Sequence, residues 1–321
     1  MKFLHQLIYG WIIFSAGFAF AQESFPNRPI KIFVGFPAGT STDIIARVYA
    51  QNLAETLKVS VVVENRAGAS SNLAAESVFN SEPNGYTLLL GTIANSITSS
   101  LYKNLGFNFT TDFTPIAMVG SATTVLVVKA NSNINNVQDL ISAAKANPKD
   151  VSFGSAGIGT APHMAGELLN LMAGTSMLHI PYKGNNQAIT DLIGGQLTVV
   201  FTPLPTAINF IKEGKIKALA VASIKRSSQL PEVPTLSESG FAGFETSIWY
   251  GFLAPKKTPK AVIEKLSETL KKASNSSTVK SQLTLNGAEV AYSGPDEFGK
   301  YIQSESQKWQ KVIEKSKVTI D

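Results

Sequence analysis

Two loops rich in glycine and hydroxyl side chains carry the clearest potential for chemistry in this sequence. The first reads Phe36-Pro37-Ala38-Gly39-Thr40-Ser41-Thr42-Asp43 and lies between a β-rich segment and a helical one. Where a loop opens a helix, several backbone N–H groups lack intrahelical partners, and the helix dipole favours a negative charge there. The pattern therefore indicates an anion-binding loop, with an ordinary turn capped by Thr42 or Asp43 as the alternative.

A second loop of the same kind reads Gly154-Ser155-Ala156-Gly157-Ile158-Gly159-Thr160-Ala161-Pro162-His163. It also follows a β-rich segment, and its proline stands where the first turn of a helix tolerates one. The glycine order differs from the dinucleotide-binding fingerprint, and the first loop lacks the Gly-Lys-Ser/Thr sequence of a P-loop. We therefore predict no cofactor, and we expect the two loops to hold opposite ends of one small ligand.

Residue types suited to catalysis or metal binding are sparse. After the N-terminal segment the chain has two histidines, His163 and His179, and it has no cysteine. Their spacing does not match a zinc site, and the lack of cysteine excludes thiolate catalysis and iron–sulfur clusters. Ser155 has Phe153 rather than glycine two positions before it, so it is not in a nucleophile elbow. We predict no metal site, no catalytic residue and no serine with an adjacent base, and we place His163 in the first turn of a helix or at a lid.

The elements that must position these loops alternate between β-rich and helical segments. The β-rich segments are residues 30–34, 60–63, 86–90, 125–128, 151–153, 179–180, 197–201 and 216–221. Strands separated by helical patterns of about 10–15 residues predict parallel βαβ units and hence an α/β fold. Two C-terminal segments, 261–272 and 296–315, are predicted to be amphipathic helices that pack on the body of the protein.

The chain contains two candidate linkers, residues 114–121 and the Ser/Pro-rich residues 227–239. They bracket a central block of the chain. We therefore predict a discontinuous first lobe, residues 22–120 and 226–321, and a second lobe at residues 121–225. Two chain crossings between lobes permit hinge motion around a cleft.

The N-terminus has the features of a secretory signal peptide. Lys2 supplies a positive charge, Leu7 to Phe20 is an apolar run, and Ala19-Phe20-Ala21 is a small-x-small cleavage site. The run is shorter than the ~20 residues that cross a bilayer as a helix, although a membrane anchor is the alternative. We predict that residues 1–21 are removed after Ala21 and that the mature protein is soluble and periplasmic.

The amino-acid composition and the net charge exclude further classes of protein. The formal net charge is +5, only 16% of residues are charged and 44% are hydrophobic, which excludes a disordered chain. The lysines are scattered rather than clustered, so nucleic acid is not an expected partner, while the mild positive charge helps to attract anions. An exported chain without disulfides depends on its core, which favours a two-lobed periplasmic protein over a small extracellular module.

Ordered blocks along the whole mature chain resemble the Bug-type solute-binding proteins of tripartite tricarboxylate transporters. The blocks are Phe25-Pro26-Asn27-Arg28-Pro29-Ile30, residues 36–47, 61–69, 83–89 and 154–160, Pro181-Tyr182-Lys183-Gly184, and residues 191–196, 218–221 and 230–235. The resemblance implies an α/β type II periplasmic binding protein, with two lobes, a hinge and a ligand cleft between them. It also implies a monomer that binds a small carboxylate and has membrane permease subunits as partners.

The resemblance assigns ligand contacts to the two loops and to the segment after Leu90. In the family, the loops hold a carboxylate through backbone groups, hydroxyls and ordered waters. The predicted ligand-binding residues are Phe36, Ala38, Gly39, Thr40, Ser41, Thr42, Thr92, Asn95, Ser155, Ala156, Gly157, Gly159, Thr160, His163, Phe201 and Thr202.

Three positions depart from the family's pattern. Thr202 stands where an acidic residue is frequent, so we predict a ligand without an ammonium group, which disfavours amino acids. The run Thr40-Ser41-Thr42 replaces a more glycine-rich one and adds hydroxyl donors. Ala67 and Ser70-Ser71 stand where a proline and glycines are usual.

The leading functional prediction is a receptor that captures a small carboxylate and delivers it to a membrane permease. An aromatic dicarboxylate such as terephthalate or a phthalate is favoured, because Thr202 is neutral and because Phe36, Phe201, Trp249 and Tyr250 are predicted near the loops. A citrate-like ligand or an aliphatic dicarboxylate is the close alternative. A ligand-sensing partner of a two-component sensor needs the same two lobes, and an exported hydrolase is the least favoured hypothesis.

Overall fold

The computed structural model describes residues 25–102 and 105–316, and the predicted signal peptide lies outside the described residues. Strands and helices alternate through most of the chain, as the sequence predicts, except that β9 follows β8 without a helix between them and α9 directly follows α8. The strands are β1 (Ile30–Val34), β2 (Val61–Asn65), β3 (Thr87–Thr92), β4 (Phe113–Lys129), β5 (Ser152–Ser155), β6 (Leu178–Pro181), β7 (Val199–Pro203), β8 (Ile216–Val221), β9 (Ser247–Pro255) and β10 (Glu289–Ser293). The α-helices are α1 (Ser41–Leu57), α2 (Asn72–Phe79), α3 (Ile93–Leu101), α4 (Val137–Ala146), α5 (Ala161–Ala173), α6 (Asn185–Gly194), α7 (Leu204–Lys212), α8 (Lys260–Asn275), α9 (Ser277–Leu285) and α10 (Pro295–Ser316).

The strands form one continuous sheet whose two halves share the long strand β4. The order is β2-β1-β3-β9-β4 in the first half and β4-β7-β5-β6 in the second. Residues 113–123 of β4 pair with β9, whereas residues 124–129 pair with β7 and β8. The predicted parallel pairing is confirmed for β1 with β2 and β3, and for β5 with β6 and β7. Strands β4 and β9 run antiparallel to each other between these parallel groups.

Each half has its own hydrophobic core. The first core gathers the largest buried side chains of the first half, among them Tyr49, Trp249 and Phe298. The second half has a core on each face of its sheet. Strand β4 supplies both, because Val125 and Val127 point to one face while Leu126 and Val128 point to the other.

The chain crosses between the halves at two neighbouring places. The first is Thr124 in β4, where the pairing partner changes. The second lies near Thr246, whose N–H donates to Ala222 O at 2.9 Å, while Ala222 N–H donates to Thr124 O at 2.8 Å. Leu236 and Phe244 pack in a core of the second half. The predicted lobe boundary between residues 225 and 226 stays a prediction.

The two predicted C-terminal amphipathic helices are confirmed as α8 and α10. Their apolar sides, which include Leu266 and Leu270 in α8 and Phe298 and Trp309 in α10, belong to the first core. Within the described ranges, no helix combines the length and the apolar character that spanning a membrane requires.

Candidate functional site

A narrow cavity lies between the two halves, where five helices begin. Its lining residues are Phe36, Thr40, Ser41, Thr42, Thr92, Ile93, Ala94, Ala156, Thr160, Ala161, Pro162, Asn185, Pro203, Thr206, Ile248 and Tyr250. Helices α1 and α3 reach it from the first half, and α5, α6 and α7 reach it from the second. The cavity, including its mouth, has a volume of about 390 Å³. The halves contact each other around a small site that stays partly open to solvent.

The cavity combines several positive helix ends with a lining free of formal charge. Among the described residues, no aspartate, glutamate, lysine, arginine or histidine lines it. The first N–H groups of each helix lack intrahelical partners, and each helix end carries roughly half a positive charge. Five such ends make the cavity a site for an anion held by neutral donors rather than by a cation.

The first loop places four predicted residues on the cavity wall. Helix α1 has Thr40 as its N-cap, so the alternative of a cap at Thr42 or Asp43 is wrong. The Thr40 hydroxyl donates to Pro37 O at 2.7 Å, and Ser41 N–H donates to Thr206 Oγ1 at 3.2 Å. Phe36, Thr40, Ser41 and Thr42 line the cavity.

The remaining residues of this loop fix its shape. Gly39 has a φ of +75°, and its N–H donates to Asp43 Oδ2 at 2.9 Å. The carbonyl of Ala38 accepts a hydrogen bond from Asn186 Nδ2 at 3.3 Å, across the opening between the halves. Neither Ala38 nor Gly39 lines the cavity.

Asp43 is a buried carboxylate directly behind this loop. Besides Gly39, it accepts hydrogen bonds from Arg47 Nε at 3.0 Å and Asn65 Nδ2 at 2.9 Å. Burial alone raises the pKa of Asp43, but the hydrogen bonds from Arg47, Gly39 and Asn65 outweigh it and leave the pKa below its usual value. The charge of Asp43 is therefore neutralised within the first half and leaves the cavity's positive potential largely intact.

The segment after β3 forms a capping box at the start of α3. The Thr92 side chain accepts from Ala94 N at 3.2 Å, and Asn95 Oδ1 accepts from Thr92 N at 3.1 Å. Thr92 lines the cavity, whereas the wholly buried Asn95 does not. Asn95 thus positions Thr92 and Ala94 at the wall.

The second loop places Ala156 and Thr160 on the wall and uses its other residues as supports. Gly157 and Gly159 have φ values of +119° and +79°, which favour glycine. The Thr160 hydroxyl donates to Gly157 O at 2.7 Å, and Gly159 N–H donates to His163 Nδ1 at 3.1 Å. His163 is the third residue of α5, as predicted, and its neutral ring holds the loop from behind the cavity.

The rings of His163 and His179 contact each other at a tilt of 32° behind the second loop, with ring centroids 4.1 Å apart. Burial lowers the pKa of His163 to about 4. Burial and the neighbouring His163 lower the pKa of His179 to about 3. Glu167 Oε1 lies 3.8 Å from His163 Nε2, and burial raises the pKa of this carboxyl. Both imidazoles are therefore neutral at physiological pH.

The prediction that no serine lies next to a base is wrong, because Ser155 is in contact with His179. Ser155 Oγ lies 2.7 Å from His179 Nε2 and accepts from Gly157 N at 3.1 Å. These two residues are 24 positions apart and meet because β5 and β6 are neighbouring parallel strands. Neither of them lines the cavity, so the pair supports the loop and does not face a ligand there.

Phe201 and Thr202 lie beneath the cavity. The Phe201 ring packs edge-on against Phe153, with centroids 5.9 Å apart, and its carbonyl accepts from Asn185 Nδ2 at 2.7 Å. Thr202 is wholly buried, and its hydroxyl donates to Pro203 O at 3.4 Å. Phe201 therefore reaches the cavity only indirectly, by orienting Asn185 at the start of α6.

Seven predicted residues line the cavity: Phe36, Thr40, Ser41, Thr42, Thr92, Ala156 and Thr160. Their contact with a ligand stays a prediction. Sequence reasoning did not assign Asn185, Thr206 and Ile248 to the site, and it placed the aromatic Tyr250 near the loops without naming it as a ligand contact. Asn185 and Thr206 could have been predicted from the sequence, because both stand in the first turn of a helix that follows the end of a strand.

One turn beside the cavity has an unusual backbone. Ala69, Ser70 and Ser71 have φ values of 45°, 50° and 82°, a left-handed conformation in which serine and alanine are strained. The Ser70 hydroxyl donates to Ile158 O at 2.6 Å, which joins this turn of the first half to the second loop. The bond thus contributes to the closed arrangement.

Replacing Ser70 with alanine is expected to weaken ligand binding about 2- to 10-fold, because one hydrogen bond across the closed halves is lost. Calorimetric titration with a carboxylate that binds would measure this. Ser70→Gly is the matched control: it should lose the same affinity but be about 1 kcal/mol more stable than Ser70→Ala, because glycine adopts a positive φ without strain. Unchanged affinity in both variants would contradict this role.

No group of three or more histidine, aspartate or glutamate side chains with a geometry fit for a metal ion occurs in the described part of the chain. The donors that remain at the cavity are hydroxyls, one amide and backbone N–H groups. Such donors suit the capture of an anion.

Two α/β halves that close over a cavity ringed by helix N-termini define a solute-binding protein of the periplasmic type. The family model described as "Tripartite tricarboxylate transporter family receptor" matches residues 45–318. The chain therefore belongs to this family of Bug-type receptors, whose members are periplasmic binding proteins and not enzymes. The predicted fold class and family resemblance are confirmed.

Solved structures of the family are close to this one. The periplasmic binding protein BugD is 36% identical, with a TM-score of 0.88, and the match covers 92% of this chain and 99% of that one. Rpa4515 of R. palustris with adipate is 31% identical, with a TM-score of 0.89 over 92% and 99% of the chains. MatC of Rhodopseudomonas palustris with bound malate is 29% identical, with a TM-score of 0.85 over 90% and 100%.

Proposed function

We propose that this protein captures a small dicarboxylate in the periplasm and delivers it to the membrane permease of a tripartite tricarboxylate transporter. The observation that carries the proposal is the cavity between the halves, where no residue of the described part of the chain brings a charge to the lining and five helices begin. A carboxylate there would accept hydrogen bonds from backbone N–H groups and from hydroxyls such as Thr42 and Thr160. Closure removes water and so strengthens each of these bonds.

The same lining disfavours amino acids. A ligand ammonium group needs an acidic partner or several acceptors, and no acid lines the cavity within the described ranges. This argument takes the place of the one from Thr202, whose buried hydroxyl is directed to Pro203 O. Glutamate and aspartate are therefore expected to bind weakly.

The ligand we favour is an aliphatic dicarboxylate of about the size of malate or adipate. The small cavity supports a compact or slender molecule, and two of the similar structures hold those two acids. An aromatic dicarboxylate such as terephthalate or a phthalate is the second candidate, because Phe36 and Tyr250 are aromatic walls. Phe201 and Trp249 give it no support, since Trp249 packs against Phe298 in the first core.

Export and delivery complete the proposal. Residues 1–21 act as a signal peptide that is cleaved after Ala21, and the mature chain works as a monomer that presents its ligand to the permease. Mass measurement of the protein from a periplasmic extract would detect a mature chain that begins at Gln22.

A second role as a ligand-sensing partner of a two-component sensor uses the same closed form, and a pull-down with and without ligand would distinguish the two roles.

A thermal-shift panel on the mature protein tests the function directly. We expect malate, succinate or adipate to raise the melting temperature most, with terephthalate, phthalate, citrate, glutamate and nicotinate as comparisons. A ligand at a hundred times its Kd adds about 2.7 kcal/mol to the free energy of unfolding, a shift of several degrees. A shift with glutamate alone would contradict the argument from the uncharged lining, and no shift with any carboxylate would contradict the function.

A further inference from the structure

The hydroxyl of Tyr250 is a buried donor without a partner. The Tyr250 side chain is wholly buried, and its hydroxyl hydrogen has no acceptor within the described part of the chain. The residue nevertheless lines the cavity. Buried hydroxyls are nearly always paired, so an unpaired one at a cavity wall indicates a partner that comes from outside the chain.

The fold holds this hydroxyl rigidly. Tyr250 lies in β9, directly opposite Thr92 of β3 on one side and Gly120 of β4 on the other. It therefore occupies the middle of the first half's sheet, beside the cap of α3. A side chain anchored on a central strand presents its polar atom with little freedom to turn away.

Ser41 of the first half and Thr206 of the second half line the same cavity as Tyr250. Thr206 Oγ1 already accepts from Ser41 N–H at 3.2 Å, which leaves its own hydrogen available for another acceptor. Burial raises the pKa of Tyr250 well above its ordinary value, and a hydrogen bond from the Ser41 hydroxyl to the Tyr250 oxygen offsets this only in part. Tyr250 therefore remains protonated at any physiological pH and acts as a donor.

We propose that Tyr250, with Thr206 beside it, donates a hydrogen bond to the second carboxylate of the ligand and thereby selects dicarboxylates over monocarboxylates. This assignment rests on the proposed function, in which the helix N-termini hold the first carboxylate. A site built around a buried donor rejects a ligand that lacks the matching acceptor, because the donor is then left unpaired.

Tyr49 provides an internal comparison. It is also wholly buried, but its hydroxyl donates to Val119 O at 2.7 Å and lies 2.9 Å from Ser274 Oγ. Tyr49 lies in the first core and does not line the cavity. Tyr49 is therefore a buried tyrosine of this protein whose hydroxyl has its partners within the chain.

Calorimetric titration of Tyr250→Phe with adipate, and with its monocarboxylate counterpart hexanoate, tests the assignment. We expect the Kd for adipate to rise about 10- to 100-fold, because a hydrogen bond to a charged group is lost, and any binding of hexanoate to stay within about 3-fold. The ligand-free melting temperature should rise by about 2 °C, since an unpaired buried hydroxyl is removed.

The Tyr49→Phe variant is the matched control, and it should lower the melting temperature while leaving the Kd for adipate unchanged. If wild-type protein binds adipate and Tyr250→Phe binds it equally tightly, the assignment to Tyr250 fails while the function stands. If wild-type protein binds adipate and hexanoate equally well, the selection for a second carboxylate fails. If wild-type protein binds neither adipate nor any other dicarboxylate, the proposed function fails and this assignment fails with it.

Discussion

Replacing Thr42 with aspartate is expected to abolish carboxylate binding while leaving the fold intact. Thr42 is the second residue of α1, is almost wholly buried and lines the cavity. A second negative charge about 4 Å from a bound carboxylate costs about 4 kcal/mol at an effective dielectric constant of about 20, or roughly a thousandfold in Kd. Because an acid in the first turn of a helix stabilises that helix, unfolding does not explain the loss.

Thr42→Asn is the matched control, since asparagine has nearly the shape of aspartate without its charge. Calorimetric titration with the strongest dicarboxylate of the thermal-shift panel should give a Kd within about 10-fold of wild type for Thr42→Asn, the scale of one altered neutral hydrogen bond. Circular dichroism would check that both variants are folded. Binding of wild-type strength by Thr42→Asp would show that no ligand carboxylate lies at the start of α1.

The second large effect is a loss of stability as the pH falls from 7 to 5. His163 and His179 are neutral in the native protein, with pKa values of about 4 and about 3, whereas both titrate near 6.5 when the chain is unfolded. Below pH 6.5 the unfolded state therefore binds up to two more protons than the native state. The contribution of the two neutral histidines to the free energy of unfolding is fully present above pH 6.5 and is lost as the pH falls towards the native pKa values.

The expected slope is about 2 kcal/mol per pH unit between pH 6 and 5. Two histidines alone would give up to about 2.7 kcal/mol per unit. Glu167 partly offsets this slope. Because its pKa is raised in the native protein, its contribution to stability increases as the pH falls. Urea unfolding at a series of pH values between 7 and 5 would measure the slope.

His179→Asn serves as the control for this prediction. Asparagine keeps a hydrogen-bonding group near Ser155 Oγ, which lies 2.7 Å from His179 Nε2 in the native chain. With one titrating imidazole removed, the slope should fall to about half. A wild-type stability that does not change between pH 7 and 5 would contradict the buried, neutral state of both rings.

Several features of the site followed from local sequence alone. The two glycine- and hydroxyl-rich loops lie where predicted, because glycine and threonine after a β-rich segment have a direct local effect on the backbone. Gly157 and Gly159 adopt positive φ values, and Thr40 and Thr160 stand at helix starts. The alternation of strands and helices was predictable for the same reason, since hydrophobic periodicity is a property of consecutive residues.

Other features depended on pairings between distant parts of the chain. Tyr250 was predicted near the loops only as one of four aromatic residues, and it reaches the cavity because β9 inserts between β3 and β4. Ser155 meets His179, and Ser70 meets Ile158, through contacts that span 24 and 88 positions. No local pattern encodes strand order, so these contacts had no signal in the sequence.

The sequence by itself determined the α/β class, the family and the loops at which an anion can be held, because each rests on residues that are neighbours in the chain. The tertiary structure alone decided which side chains face the cavity. Thr202 and Phe201, expected there, lie beneath it, whereas Thr206, Asn185 and Tyr250 line it. The physical reason is that a strand alternates its side chains between two faces, and only packing of the halves determines which face meets the ligand.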